Sequence, residues 1–343
     1  MANSATLEGY FAIPVSHLEI ATIVAFDLYL PRHDGTAVLY RERNLVFTSE
    51  NKQRLEQNGV RELFVPQDQF EAYRSYRLAQ SREPGPASAP RDEISPEEED
   101  LAGSLQDRSL PIEARASLLL GVSYQVVEAA LSDLGSPGLP QRVFRLADNT
   151  ARFLASEPPA YFRLVSMLQS DFDAYSHAIN TALYSIQLAA HASIEDPHEI
   201  ALIGRAALVH DVGRGDLPGE LLHQSTGLSD LEWAEVMSHV DRGLAQLREA
   251  GWDDATCLDV VAHHHERADG KGYPQGLKLE KISRAARIVS IADCFDALTS
   301  SHSGRQASTG FQALWTMKRD LAGQFDPDLL DRFIAAMVEN QRL

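Results

Sequence analysis

The sequence predicts a small α/β domain over residues 1–80, a linker over residues 81–100 and an all-α domain over residues 101–343, whose leading helices occupy about residues 101–160. Three observations predict this. Short strand-like and helix-like signals alternate over the first part. The stretch SREPGPASAPRDEISPEEED then shows no apolar period of either kind. Beyond it, apolar residues recur at the three and four spacing of helices.

In the first part, Phe26 to Leu30 and Thr36 to Tyr40 are rich in β-branched and aromatic residues and flank Arg32-His33-Asp34-Gly35, which reads as a hairpin. A helix fits Ser49 to Asn58, capped by Thr48 or Ser49 and ended by Gly59. Val60 to Val65 reads as a strand, and Asp68 to about Ala79 as a helix. His33 sits beside turn residues, where polar side chains are ordinary. With no cluster of catalytic residue types, this part reads as a regulatory, sensory or dimerising unit. The acidic run Glu97 to Asp100 is placed to start the next helix, since carboxylates favour its positive end.

In the second part, helices fit Ala114 to Leu134 and Val143 to Glu157, separated by a turn at Ser136-Pro137-Gly138-Leu139-Pro140. Further helices fit Ala160 to Gln169, Asp173 to Ala192 and His198 to His210. Ser229 and Glu232 form a capping box, with Leu228 able to staple onto Trp233, for a helix that runs to about Ala250. Asp259 to His265, Ser283 to Thr299, Gln312 to Gly323 and Pro327 to Asn340 complete the series.

Composition narrows the function. The chain has 343 residues, 44% of them hydrophobic, which suits two ordinary cores. It shows neither a signal peptide nor an apolar run long enough for a bilayer, so the cytoplasm is the expected compartment and no membrane partner is expected. Its two cysteines, Cys257 and Cys294, lack metal-thiolate spacing. A formal charge of −18 argues against a nucleic-acid polymer as partner, because phosphate contacts need a basic surface. An anionic substrate would need local cations.

The chemistry concentrates in imidazoles and carboxylates. His263 to Pro274 reads HHHERADGKGYP, three histidines followed by a turn that Gly270, Gly272 and Pro274 supply. His177, His210-Asp211, His239, His264-His265 and Asp293 lie in five separate helical segments, and Asp173 is one turn before His177 on the same face. Any one of them alone reads as a structural residue. Together, in otherwise apolar helices, they share a cost of buried polarity that a pair of metal ions would remove. Two such cations can activate water and neutralise phosphoryl oxygens in an in-line attack on a phosphodiester. A set of His and carboxylate without Cys favours iron or manganese.

The ordered series His177, His210-Asp211-Val212-Gly213, His239, His264-His265-Glu266, Asp269-Gly270-Lys271-Gly272-Tyr273-Pro274 and Asp293 resembles the HD-GYP family of bacterial cyclic di-GMP phosphodiesterases, a branch of the HD metal-dependent phosphohydrolases. The resemblance covers about residues 165–340 and implies an HD-type helical domain. It implies His177, His210, His239, His264 and His265 as imidazole ligands, Asp211 as bridging carboxylate and Asp293 as the later carboxylate ligand. The cofactor expected is two divalent ions, or three if Asp173, where the family has Glu, joins them. His263 matches no ligand. Asp211 and Arg214 are the expected catalytic residues, Arg214 standing where the family usually has Lys. Arg214, Asp269, Gly272, Tyr273, Pro274, His302 and Arg305 are the expected substrate contacts, with Ser301-His302-Ser303-Gly304-Arg305 in place of the family's DRPYR-like segment. The implied reaction is hydrolysis of cyclic di-GMP to pGpG, and onward to GMP as an open extension. Two other readings stay open: a catalytically weak cyclic di-GMP receptor or partner-docking module, and a hydrolase of another cyclic dinucleotide. A protein partner at the GYP loop and a homodimer are also open. The first part resembles, more loosely, small domains that precede HD-GYP domains.

Overall fold

The computed structural model describes residues 9–18, 22–32, 36–43, 45–70, 72–73, 76, 94–168, 174–218, 221, 228–300 and 307–340. The chain divides into two compact units, 1–93 and 94–343. No helix among the described residues is long and apolar enough to cross a membrane.

In the first unit, β1 (Tyr10–Pro14), β3 (Leu28–Pro31), β4 (Ala37–Arg41) and β6 (Glu62–Pro66) form an antiparallel sheet in the order β1-β6-β3-β4. The expected hairpin is the β3–β4 pair. β2 (Thr22–Val24) and β5 (Leu45–Phe47) make a second, two-stranded sheet, which the sequence reading does not separate out. Helix α1 (Ser49–Gln57) starts where expected, because the Thr48 and Asn51 side chains each bond the other's backbone N–H. Ile13, Phe26, Leu28, Phe47, Leu63 and Val65 are buried between these elements. The expected helix at residues 68–79 begins with a 3-10 turn, Gln67–Gln69; most of the rest of it, and His33, lie outside the described residues.

The second unit is helical. Its start carries α2 (Pro96–Glu99) and α3 (Leu101–Gln106), followed by α4 (Ile112–Ser132), α5 (Leu139–Ser156), α6 (Pro159–Leu168), α7 (Ala174–His191) and α8 (Pro197–Leu208). α2 lies within the stretch that reads as linker. Glu98 is buried there because Arg142 of α5 grips its carboxylate, Nε to Oε1 at 2.9 Å and Nη2 to Oε2 at 2.9 Å. α5 begins at Leu139, not after Pro140 as expected. Proline is tolerated in a helix's first turn, where its missing N–H has no partner to lose.

The remaining helices are α9 (Asp230–Met237), α10 (His239–Glu249), α11 (Ala255–His263), α12 (Arg284–Thr299), α13 (Gly310–Trp315), continued by a π-helical turn over Thr316–Asp320, and α14 (Pro327–Asn340). The Ser229–Glu232 capping box forms. The single helix expected from Ser229 to Ala250 is broken at Ser238, however, so α9 and α10 are separate.

α7 is the central helix, buried along nearly its whole length and packed by α8, α12, α4 and α14. Tyr184 of α7, Phe295 of α12 and Phe333 of α14 close that core edge to face, with centroids 5.0 and 5.1 Å apart along the chain of rings. A 3-10 turn, Val212–Asp216, lies against α10 at backbone contact. A Cβ on Gly213 would fall 2.1 Å from the His239 carbonyl oxygen and 2.4 Å from the Gly243 nitrogen, so only glycine allows this approach. Gly213→Ala is therefore expected to destabilise the protein by at least about 1–3 kcal/mol, the usual penalty for overpacking, read as a lower urea midpoint. Gly215→Ala, whose Cβ would meet nothing within 4 Å, is the control and should leave the midpoint almost unchanged.

Candidate metal centre

Five of the seven expected ligands come from three helix ends or breaks, and two come from helix interiors. His210 and Asp211 follow the end of α8, His239 opens α10 after the break, and His264 and His265 follow the end of α11. His177 comes from inside α7, and Asp293, the seventh, from α12. Their side chains assemble into two groups, Asp211 with His239, His264 and His265, and His177 with His210 and Asp293; within each, one ligand atom per residue lies within 4.8 Å of the others.

Asp211 stands between the groups. Its Oδ1 is 3.3 Å from His239 Nε2 and 3.6 Å from His264 Nε2, while Oδ2 is 3.5 Å from His177 Nε2 and 3.7 Å from His210 Nε2. Asp293 Oδ1 is 3.3 Å from His177 Nε2 and 3.9 Å from His210 Nε2, and its Oδ2 is 3.8 Å from His265 Nδ1.

The tautomers follow from the other ring nitrogens. Nδ1 of His210 bonds the Ala207 carbonyl at 2.8 Å, that of His239 the Val236 carbonyl at 2.6 Å, and that of His264 the Val261 carbonyl at 3.1 Å. A carbonyl can only accept, so each Nδ1 carries a proton, and it is Nε2 that each ring has left to offer a metal. These three Nε2 atoms and Asp211 Oδ1 are buried without a hydrogen-bond partner. Native interiors rarely leave four converging polar atoms unsatisfied, and each costs about 1–3 kcal/mol. The donor set, imidazole nitrogens around a shared carboxylate, fits divalent cations.

Charge states agree with that role. Burial opposes ionisation of Asp211, but Arg214 and His210 outweigh it and hold the carboxyl well below its ordinary range. Asp293 is likewise held low against burial by His177 and His210. Burial pushes His264 below the ordinary imidazole value against the pull of Asp211, and burial with the neighbouring His264 pushes His265 well below it. Both rings are thereby kept neutral, the form that can donate a lone pair. His177 and His239 differ: burial works against the protonation of both, but Asp211, Asp293 and Asp296 prevail and raise His177, and Asp211 raises His239.

Asp296 is the residue that sequence reasoning missed. It is buried on α12 and accepts a 2.8 Å hydrogen bond from His177 Nδ1, fixing that ring as a carboxylate fixes metal-bound histidine. Its signal was its place three residues after Asp293, on the same helix face. Glu266 is a second omission. It is buried and accepts from the backbone N–H groups of Gln275 and Leu277 at 2.7 and 2.8 Å, which ties the GYP loop beneath the centre.

The expected substrate residues are placed as follows. Arg214 is part-exposed, and its Nη1 donates to Asp211 Oδ2 at 2.8 Å. Tyr273 lays its ring over His265, centroids 4.7 Å apart. Gly272 backs onto residues 265–267, where a Cβ would meet the Arg267 nitrogen at 2.4 Å. Pro274 is exposed in the loop. Asp269 is exposed as well, and its carboxylate accepts from the Lys271 N–H at 3.0 Å, closing the turn. His263 pairs with Asp259 at 2.9 Å and lies in neither group. Asp173, His302 and Arg305 lie outside the described residues.

The HD domain family model matches residues 150–329. A cyclic di-GMP phosphodiesterase of Pseudomonas aeruginosa is 33% identical over 192 residues, which are 56% of this chain and 46% of that protein. A 3'3'-cGAMP-specific phosphodiesterase of Vibrio cholerae is 32% identical over 221 residues, 61% of this chain and 46% of that one. The chain thus spans about half the length of the curated relatives it matches. An HDG"Y"P protein from Bdellovibrio bacteriovorus has the same fold, with a TM-score of 0.63 over 96% of this chain and 99% of that chain at 20% identity. With its signature histidines and aspartates gathered around one carboxylate and more than half its length matched, the chain belongs to the HD domain family.

Proposed function

We propose that the protein is a metal-dependent phosphodiesterase that hydrolyses cyclic di-GMP to pGpG. The observation that carries this reading is the two-sided carboxylate of Asp211, one oxygen facing His239 and His264 and the other facing His177 and His210. That arrangement suits two cations side by side. In this reading His239, His264 and His265 hold one ion, His177, His210 and Asp293 hold the other, and Asp211 bridges them. Iron or manganese is favoured by the absence of thiolate among these donors. Bound there, the ions would supply Lewis acidity at the phosphoryl group and lower the pKa of water.

The chain's own residues do the rest. Asp296 holds His177 in register through Nδ1, and the backbone carbonyls of Ala207, Val236 and Val261 do the same for three other rings. Arg214 uses one N–H on Asp211, and its planar guanidinium has further donors with which to hold a phosphate oxygen. Its positive charge offsets part of the −18 field that an anionic diester must enter. Tyr273 and the loop behind it shape the mouth over His265.

The test is turnover by protein loaded with Fe2+ or Mn2+, with cyclic di-GMP and 3'3'-cGAMP compared side by side and pGpG and GMP separated among the products. Hydrolysis of cyclic di-GMP to pGpG supports the reading; binding without turnover would make the protein a receptor instead.

Three variants sharpen it. Asp211→Ala should lose both ions and all turnover, measured by elemental analysis beside the assay. Asp296→Asn should weaken metal affinity by about 10- to 100-fold, as removal of a ligand's orienting partner does, measured by chelator competition. Arg214→Gln should weaken cyclic di-GMP binding by about 1.5–3 kcal/mol with metal content intact, the size of a hydrogen bond to a charged group, measured by calorimetry.

A further inference from the structure

We infer that Trp233 and Tyr273 form an aromatic corner that stacks a nucleobase of the substrate, which makes Trp233 a substrate-binding residue; this rests on the phosphodiesterase reading above. α9 buries none of its eight residues, yet it carries two large apolar side chains, Leu231 at 85% and Trp233 at 46% exposure. A half-exposed tryptophan on so shallow a helix is not needed for the core. Its ring instead meets Tyr273 from across the GYP loop, with centroids 6.0 Å apart and planes at 80°.

That contact ties the exposed ring to the metal centre. Tyr273 lies 4.7 Å from the His265 ring and 6.4 Å from the His239 ring, centroid to centroid, so the corner opens beside the group formed by Asp211, His239, His264 and His265. The Tyr273 ring is committed to His265 at a shallow 31° tilt, whereas Trp233 touches it edge to face. Whichever ring supplies the edge, such a contact leaves at least one face of the indole clear of Tyr273.

The chemistry of the substrate matches this layout. In a cyclic dinucleotide each phosphate carries a base one ribose away, so a phosphate held at the ions puts an uncharged, flat purine within reach of the corner. Stacking on an aromatic face accepts any base, because every base has a π-face, and it suffers nothing from the chain's negative field. Charge draws the phosphate to the ions, and stacking fixes the base.

The experiment uses the full chain loaded with Mn2+ and follows cyclic di-GMP turnover, metal content and tryptophan fluorescence in the wild type, Trp233→Ala and Trp233→Phe. Loss of one stacking platform should raise KM in Trp233→Ala by roughly tenfold or more, with kcat and metal content retained. Trp233→Phe should restore most of the affinity. Of the three tryptophans, Trp252 is buried at 2% exposure, and Trp315 of α13 meets Phe311 and Arg319 rather than Tyr273. Saturable quenching by cyclic di-GMP in the wild type should therefore fall sharply in Trp233→Phe even though that variant still binds. An unchanged KM in Trp233→Ala, or a fall in kcat and metal content instead, would overturn the inference while leaving the phosphodiesterase reading intact. A wild type that neither binds nor turns over a cyclic dinucleotide would overturn both.

Discussion

A single ionised carboxylate, buried among imidazoles, is the constraint on which the second unit depends. Asp211 is 12% exposed, and it touches four of the five clustered histidines as well as Arg214. An isolated carboxylate in such a place would protonate, since burial alone costs several kcal/mol. It stays charged because Arg214 and His210 sit beside it, in a centre where helices from distant parts of the chain bring imidazoles to both of its oxygens. The close backbone approach at Gly213 fixes how near α10 comes, and so how near His239 comes to Asp211. A side chain at that one position would push His239 away from Asp211.

Helix ends explain how the rings are aimed. The last carbonyls of a helix have no intrahelical donor. His210, His239 and His264 each follow such an end or break, and each uses Nδ1 to satisfy a carbonyl three residues back. The same bond completes the helix terminus, fixes the tautomer and turns Nε2 inward. Local backbone satisfaction and the ligand geometry are therefore one arrangement rather than two. His177, inside a helix whose carbonyls are already bonded, cannot use this device, and there the carboxylate of Asp296 takes the carbonyl's place.

This also explains which parts were legible in the sequence. The clustered histidines and aspartates could be read because imidazole and carboxylate stand out in apolar helices such as the ALIGRAALV run before His210, and because the DGKGYP turn is specific. Fold class followed from apolar spacing, and the caps at Thr48 and Ser229 followed from their side chains. The break at Ser238 was not legible, since the apolar period runs on through it; beside it the Val236 carbonyl accepts from the His239 side chain at 2.6 Å. Asp296 was hidden because a carboxylate inside a helix gives no hint whether it faces water or a buried ring. Trp233 invited a reading as the staple partner of Leu228, a local contact, whereas the ring it meets, Tyr273, is forty residues away in sequence and adjacent only through the fold.

The GYP loop shows how a turn motif becomes one wall of the candidate metal centre. Glu266, the residue after the paired histidines, is buried at 2% exposure, and its carboxylate is spent on the N–H groups of Gln275 and Leu277. Gly272 lets the returning strand of the loop lie directly on the backbone of residues 265–267. The Tyr273 N–H then bonds the His265 carbonyl at 3.2 Å, and its ring covers the His265 imidazole. Ligand, loop anchor and mouth are thus set by one short run of chain, in which the position of Tyr273 is determined by the same backbone that aims His264 and His265. Because the anchor lies beneath and the ring above, the loop can present an aromatic surface to a substrate without contributing a ligand of its own.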